Sequence, residues 1–141
     1  MNIKEEKGNL FNTSNDYFLA HCISLDFAMG AGIAVEFNKR FKLRKKLNKI
    51  SNIIDIEVCD CVLIDRVFNL ITKEKYFQKP TYQSLEKSLL EMKRIIIENK
   101  IKKLAMPKIA CGLDRLQWGK VKEIIEVIFE DVDIDILIRT L

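Results

Sequence analysis

Short apolar runs alternate along this chain with longer segments in which apolar residues recur every three or four positions. The short runs, bounded by turn-forming residues, predict β-strands. An edge strand is expected at Ile3–Lys7, and Asp65-Arg66 is expected as the turn between two neighbouring strands. The remaining predicted strands are Tyr17–Ile23, Glu57–Ile64, Val67–Thr72, Lys103–Met106 and Ile134–Ile138.

The longer periodic segments predict helices that alternate with the strands. One helix follows the glycines at positions 30 and 32, with Ile33, Phe37 and Phe41 on one face. A long helix is expected after Pro80-Thr81, and another over about 118–130. Strands interleaved with helices predict an α/β fold whose sheet is covered on both faces. No repeat or linker interrupts the pattern, so we expect one domain over residues 1–141.

The composition, with 48% hydrophobic and 31% charged residues, is typical of a folded globular protein. No apolar run approaches the ~20 residues of a membrane span, and the N-terminus lacks the apolar stretch of a signal peptide. We therefore expect a cytoplasmic protein. Cysteines 22, 59, 61 and 111 show no disulfide-framework spacing, and Cys59 and Cys61 would face the same way on a strand. With His21 as the only histidine, we expect no metal site.

The net charge of +4 is unevenly distributed, because seven basic residues crowd the segment Lys39–Lys49. Two compatible interpretations exist. The segment can be the solvated face of a helix, since Phe37, Phe41, Leu43 and Leu47 supply apolar positions at helical spacing. It can also be a patch that attracts phosphate or nucleic acid.

Two glycine-bearing loops lie between a predicted strand and a predicted helix: MGAGIA at Met29–Ala34 and IACGLDRLQW at Ile109–Trp118. Glycines at such junctions let the backbone approach a ligand, and the first amides of the helix attract anions. Together the loops could hold a diphosphate, although Gly-x-Gly beside a helix often reflects only tight packing. The third glycine of a Rossmann fingerprint and the Gly-Lys-Ser/Thr of a P-loop are both absent.

With their flanking residues, the loops resemble the macrodomain family, closest to its ADP-ribosylglutamate hydrolase branch. The resemblance rests on AHCISLDFAMGAGIAVEFNKRF from Ala20, NLITKEKYFQKPTYQSLEKSLLEMK from Asn69 and MPKIACGLDRLQW from Met106. It implies a three-layer α/β/α fold with a mixed sheet of about six strands and a cleft for ADP-ribose. A monomer without a cofactor or a membrane association is expected.

The resemblance implies that Lys73, after Leu70-Ile71-Thr72, is a nucleophile toward the distal ribose, and that Asp114 is the acid/base. Their ordinary alternatives are a surface lysine and a helix N-cap. Asn9 stands where the family commonly has aspartate, and its carbonyl oxygen can still accept a hydrogen bond from adenine.

Further substrate-binding residues are implied at both loops and near the two ends of the ligand. Ser24 is expected near the distal ribose, and Leu10 and Leu141 near the adenosine. His21 is included as well, although a histidine in an apolar strand is more often a core residue. The other implied binding residues are Gly30, Ala31, Gly32, Ile33, Ala34, Lys108, Ile109, Ala110, Cys111, Gly112 and Leu113.

The function implied is hydrolysis of mono-ADP-ribose from glutamate or aspartate esters on proteins, with O-acetyl-ADP-ribose deacetylation as a side activity. A lysine amine can attack the sugar at C1 or its opened aldehyde, and an aspartate can move protons during the reaction. Two alternatives stay open. The same site could act on ADP-ribose attached to a DNA base, if the Lys39–Lys49 segment lies beside the cleft. The protein could also be a reader that binds ADP-ribose without turnover, which would not require Lys73 and Asp114.

Overall fold

The computed structural model describes all 141 residues and contains one six-stranded sheet in the order β1-β6-β5-β2-β4-β3. Five strands run parallel, and only β3 is antiparallel, paired with β4 across the turn at Asp65-Arg66. The predicted mixed sheet, with the N-terminal strand at one edge, is therefore confirmed. The strands are β1 Asn2–Lys7, β2 Phe18–Ser24, β3 Cys61–Ile64, β4 Val67–Lys73, β5 Lys103–Met106 and β6 Asp135–Thr140.

Four α-helices cover the sheet, two on each face: α1 Ile33–Phe41, α2 Leu43–Ser51, α3 Tyr82–Glu98 and α4 Trp118–Phe129. Successive strand residues point to opposite faces. Leu70 of β4 thus joins the core under α3 and α4, whereas Ile71 joins the core under α1 and α2. Thr81 caps α3 through a reciprocal pair of hydrogen bonds with Ser84, which fixes the start expected after Pro80.

Two local expectations are wrong. The basic segment does not continue one helix, because Lys42 adopts a left-handed conformation (φ 55°) that separates α1 from α2. Strand β3 begins at Cys61 rather than at Glu57. Residues 57–60 form a turn in which the Glu57 amide bonds the Asp60 carboxylate, and Cys59 has φ 81°. Cys59 therefore does not share a strand face with Cys61.

The parallel direction of five strands brings their carboxyl ends to a single edge of the sheet. Ligand sites of α/β proteins gather at this edge. The edge carries Asn9 after β1, Leu141 after β6, Ser24–Ala34 from β2 onward, Lys73 at the end of β4 and Lys108–Asp114 after β5. A short 3-10 helix, Leu10–Asn12, also lies there.

All four cysteines are free thiols. Nowhere do three or more His, Cys, Asp or Glu side chains gather in a way that could hold a metal ion. None of the helices has the length and apolar character that a bilayer crossing requires.

Candidate active site

The centre of the edge is an ion pair between Lys73 and Asp114, whose Nζ and Oδ1 atoms are 2.7 Å apart. Their side chains are only 14% and 15% exposed. Lys73 is the last residue of β4, and Asp114 lies in the loop after β5. Two residues 41 positions apart in the chain are therefore brought together where the sheet ends.

The loop that carries Asp114 is held by its own turns and by one distant lysine. The Cys111 amide bonds the Lys108 carbonyl at 3.2 Å, and the Leu116 amide bonds the Ala110 carbonyl at 2.9 Å. Lys79 Nζ donates to the Leu113 carbonyl, 2.6 Å away, next to Asp114. These bonds present the carboxylate toward Lys73.

Asp114 is not a helix cap. The N-cap of α4 is Gln117, three residues further along, and the Gln117 amide bonds the Tyr82 hydroxyl at 3.0 Å. The N-cap interpretation of Asp114 is therefore wrong, and its observed partner is the ammonium group of Lys73.

A second acidic residue, Asp26, organises the loop that follows β2. Its carboxylate accepts hydrogen bonds from the Ser24 hydroxyl and from the amides of Ala28 (3.1 Å) and Tyr76 (2.9 Å). Partial burial opposes ionisation, but these bonds outweigh it and hold the pKa of Asp26 below its ordinary value. Sequence reasoning missed Asp26 as a site residue, although a serine two residues before an aspartate is a recognisable turn signal.

Strand β2 is joined to Lys73 directly through the backbone. Ser24 pairs with Lys73 across a register shift, and the Leu25 amide bonds the Lys73 carbonyl at 2.9 Å. Ser24 is only 4% exposed, and its hydroxyl donates a hydrogen bond to the Asp26 carboxylate. Ser24 thus adjoins the ion pair through its backbone, and its hydroxyl positions the loop.

The two glycine loops meet beside the ion pair. Gly32, with φ 63°, is the N-cap residue of α1, and no side chain caps the helix there. A Cβ atom at Gly32 would lie 3.4 Å from Leu113 Cδ1, so the loops are in contact. Only glycine adopts this backbone conformation at low cost, which explains its place at the junction.

The thiols near the ion pair are not activated. Burial raises the pKa of Cys22, and the nearby Asp114 carboxylate adds to the effect. Burial also raises the pKa of Cys111, only partly opposed by Lys108. Both therefore remain protonated at neutral pH, unlike the thiolate of a nucleophilic cysteine.

Most of the sequence-predicted binding residues lie at the carboxyl edge, but they differ in exposure. Ile109 (1% exposed) and Ala110 (8%) direct their side chains into the core, as does Leu10 (3%). The position of Leu10 does not support the expected side-chain contact with adenosine. Asn9 is exposed, and its Oδ1 accepts from the Phe11 amide at 2.9 Å. The other exposed members are Gly30, Ala31, Gly32, Ile33, Lys108, Gly112, Leu113 and Leu141.

His21 is a core residue and is not accessible to a ligand. It is 1% exposed, its Nε2 lies 2.7 Å from Asn69 Oδ1, and its ring stacks on Phe37. Burial lowers the pKa of His21 to about 4, against a smaller opposing effect of the Asn69 bond. His21 is therefore a core residue, as its position in an apolar strand suggested. The prediction that it contacts the substrate is wrong.

Solved structures with the same architecture are macrodomains. The macrodomain of Mycobacterium tuberculosis DarG is similar with a TM-score of 0.88 and 21% identity, covering 99% of this chain and 97% of that one. Thermosipho africanus DarTG in complex with ADP-ribose is similar with a TM-score of 0.86 and 18% identity, covering 99% and 42%. The fold is therefore the α/β fold of a macrodomain.

Sequence comparison gives the narrower relationship. No family model matches the chain. The ADP-ribose glycohydrolase OARD1 of Homo sapiens is 44% identical over 140 residues, which is 96% of this chain and 89% of that protein. OARD1 of Bos taurus has the same identity and coverage. The chain belongs to the macrodomain family, in the branch that contains OARD1.

Proposed function

We propose that this protein is an ADP-ribosyl hydrolase that releases mono-ADP-ribose from glutamate and aspartate esters on proteins. The observation that carries the proposal is the Lys73–Asp114 pair, 2.7 Å apart and mostly buried, at the carboxyl edge of the sheet. The relationship to proteins named ADP-ribose glycohydrolase supports the reaction type. The similar fold of a DarTG protein bound to ADP-ribose supports the ligand.

In the proposed complex, the diphosphate lies against the loops 30–34 and 108–113. Helix α1 begins at Ile33 without a side-chain cap, so its first amides are available to an anion. The distal ribose then reaches Lys73 and Asp114, and the adenosine extends toward Asn9 and Leu141 at the ends of β1 and β6. Lys108 adds positive charge beside the diphosphate.

The chemistry requires Lys73 to pass from an ammonium to a neutral amine. In the ion pair Nζ has no free lone pair, so one proton must pass from Nζ to the Asp114 carboxylate before attack. The Nζ lone pair then forms a bond to C1 of the distal ribose, and the C1–O bond to the acyl group breaks with release of the acceptor carboxylate. Asp114 moves protons as the sugar ring opens to an imine at Lys73. Water then adds to C1, which releases ADP-ribose and restores the lysine.

The test is incubation of the purified protein with glutamate-linked ADP-ribosyl protein, following release of ADP-ribose. Lys73→Ala should reduce the rate by about a hundredfold or more, while ADP-ribose affinity measured by calorimetry stays within about twofold, because the diphosphate contacts remain. Borohydride reduction of the wild type during turnover should leave a sugar adduct at Lys73, detected by mass spectrometry.

The matched variant is Lys73→Arg, which keeps a cation beside Asp114 but cannot supply a neutral amine. It should be as inactive as Lys73→Ala. An active Lys73→Arg enzyme would show that Asp114 activates water directly and would exclude the covalent step. Binding of ADP-ribose without release by the wild type would instead identify a reader.

A DNA base is the second candidate acceptor of ADP-ribose, and one observation favours it. Arg44, in the basic segment, donates from Nε to the carbonyl of Phe27 at 3.0 Å. Phe27 belongs to the loop between β2 and α1, so the basic segment adjoins the proposed cleft. A parallel release assay on ADP-ribosylated single-stranded DNA separates the two acceptors.

A further inference from the structure

Helices α1 and α2 border a shallow, open groove of about 740 Å³. The left-handed Lys42 separates the two helices and is itself one of the lining residues. Every residue that lines the groove is basic or carries an amide, and none is acidic or apolar. The lining consists of Asn38, Lys39, Lys42, Arg44, Lys45, Asn48, Lys49 and Asn52.

The cations of this groove are not neutralised by the protein. Other basic residues nearby have partners, since Arg40 pairs with Glu36 and Lys46 pairs with Asp65. The side chains of the four groove lysines make no ion pair and no hydrogen bond with the protein. Lys45 and Lys49 lie one turn apart on the same face of α2, and Lys42 immediately precedes this helix. Such a row of unpaired cations attracts a polyanion.

The groove is connected to a pair of exposed aromatic rings. Arg44 donates hydrogen bonds to the carbonyls of Phe27 and Ala28 in the loop after β2. Asp26 of the same loop accepts a hydrogen bond from the backbone amide of Tyr76. Tyr76 and Phe77 are 66% and 69% exposed, and their rings meet edge to face with centroids 5.5 Å apart. The segment that carries the aromatic pair and the Arg44 side chain of the groove thus contact the same short loop.

We propose that this surface binds single-stranded nucleic acid, with phosphates along the groove lysines and a base against Tyr76 and Phe77. A cationic groove beside exposed aromatic rings is the combination that single-strand binding proteins use, because every base has a face that can stack. The groove lining is entirely basic or amide-bearing, so every contact with it is polar. The exposed aromatic pair disfavours a purely acidic peptide, which has no bases to stack.

The experiment measures fluorescence anisotropy of a labelled oligothymidine of about 12 nucleotides with the full chain, at several salt concentrations. A groove variant in which three lysines are replaced by glutamine should lose at least about tenfold in affinity. The slope of log affinity against log salt should fall by about 2, since each phosphate contact on a single strand contributes about 0.7. The substitutions are Lys39→Gln, Lys45→Gln and Lys49→Gln.

A matched control variant carries the same charge change on exposed lysines of α3 and the following loop, away from the groove: Lys87→Gln, Lys100→Gln and Lys102→Gln. Its affinity should stay within about twofold of the wild type. Equal losses of oligonucleotide affinity in the two variants would show that binding depends only on the net charge of the protein, and would overturn the proposal. ADP-ribose affinity is titrated in both variants and should not change, so failure of nucleic-acid binding is distinguishable from failure of the proposed hydrolase site.

The aromatic pair is tested by Tyr76→Ala with Phe77→Ala, which should weaken oligonucleotide binding by about tenfold or more with little change in the salt slope. Polyglutamate serves as the competing polyanion. If it displaces the oligonucleotide at equal phosphate and carboxylate concentrations, and the double alanine variant binds as tightly as the wild type, the surface recognises charge alone and the proposal is wrong.

Discussion

At the scale of single residues, the site depends on two ordinary side chains in an unusual arrangement. A lysine and an aspartate commonly form exposed ion pairs that contribute little to stability. Here the pair is about one-seventh exposed, at the end of a buried strand. Partial exclusion of water strengthens the attraction between the two charges. The proposed chemistry uses the short distance that this attraction maintains between the amine and the carboxylate.

Asp114→Asn tests the acid/base role without removing the shape of the side chain. The amide oxygen still accepts a hydrogen bond from Lys73, but the group can no longer take up a proton. We expect ester hydrolysis to fall by about a hundredfold or more, with ADP-ribose affinity within about twofold by calorimetry. Asp131→Asn is the control, because Asp131 pairs with Lys93 far from the edge. Activity near the wild-type rate in Asp114→Asn would assign the proton transfers to another group.

Residue roles were only partly predictable from the sequence. The motif Leu-Ile-Thr-Lys identifies Lys73 only through a family resemblance, because a lone lysine carries no chemical signal. Asp26 and Lys79 escaped attention for a physical reason: their partners, the Tyr76 amide and the Leu113 carbonyl, lie 50 and 34 positions away. The burial of His21 and Leu10 also depends on how the layers pack, which no local pattern contains.

At the scale of elements, hydrophobic periodicity predicted the strands and helices well. Helix α1 contains the three residues expected on its apolar face, and strand β5 has the expected bounds because a proline follows it. The break at Lys42 was not predictable, since a lysine in the left-handed conformation carries no glycine or proline signal. The left-handed conformation of Cys59 was not predictable for the same reason. Sequence reasoning thus fails at these two left-handed residues, where no local signal marks the change of backbone direction.

Gly112→Val tests the diphosphate loop as an element. No atom lies within 4 Å of a Cβ at Gly112, and its φ lies outside the left-handed region, so the variant should fold with a nearly unchanged melting temperature. The branched side chain would occupy the space over the loop that the diphosphate needs. We expect ADP-ribose affinity to fall by about tenfold or more, measured by calorimetry.

The control is Gly119→Val on helix α4, where a Cβ also meets nothing within 4 Å. It should leave the affinity within about twofold, because residue 119 lies outside both glycine loops. An unchanged affinity in folded Gly112→Val would show that the diphosphate does not lie against residues 108–113.

At the scale of the whole molecule, one buried polar cluster joins the sheet to the α1 layer. Asn69 donates from Nδ2 to the carbonyls of Val62 and Val67, so its Oδ1 must accept from the His21 ring. His21 therefore carries its proton on Nε2, and Nδ1 faces the core without a partner. The ring also stacks on Phe37 with centroids 4.0 Å apart. A second proton would place an unpaired charge in the core under the site.

This arrangement makes folding stability dependent on pH in a defined direction. Burial lowers the pKa of His21 from 6.5 to about 4 in the folded state. Between these values the unfolded chain binds more protons than the folded chain, so stability is full above about pH 7 and decreases as the pH falls through 6.5. His21 is the only histidine, which leaves the window from pH 7 to 5 nearly free of other side-chain titrations.

Urea unfolding should show that the free energy of unfolding falls by about 2 kcal/mol between pH 7.5 and pH 5. His21→Gln should lower stability at pH 7.5 but flatten this dependence, because the amide does not titrate. Equal stability of the wild type at both pH values would mean that His21 accepts a proton in the folded protein.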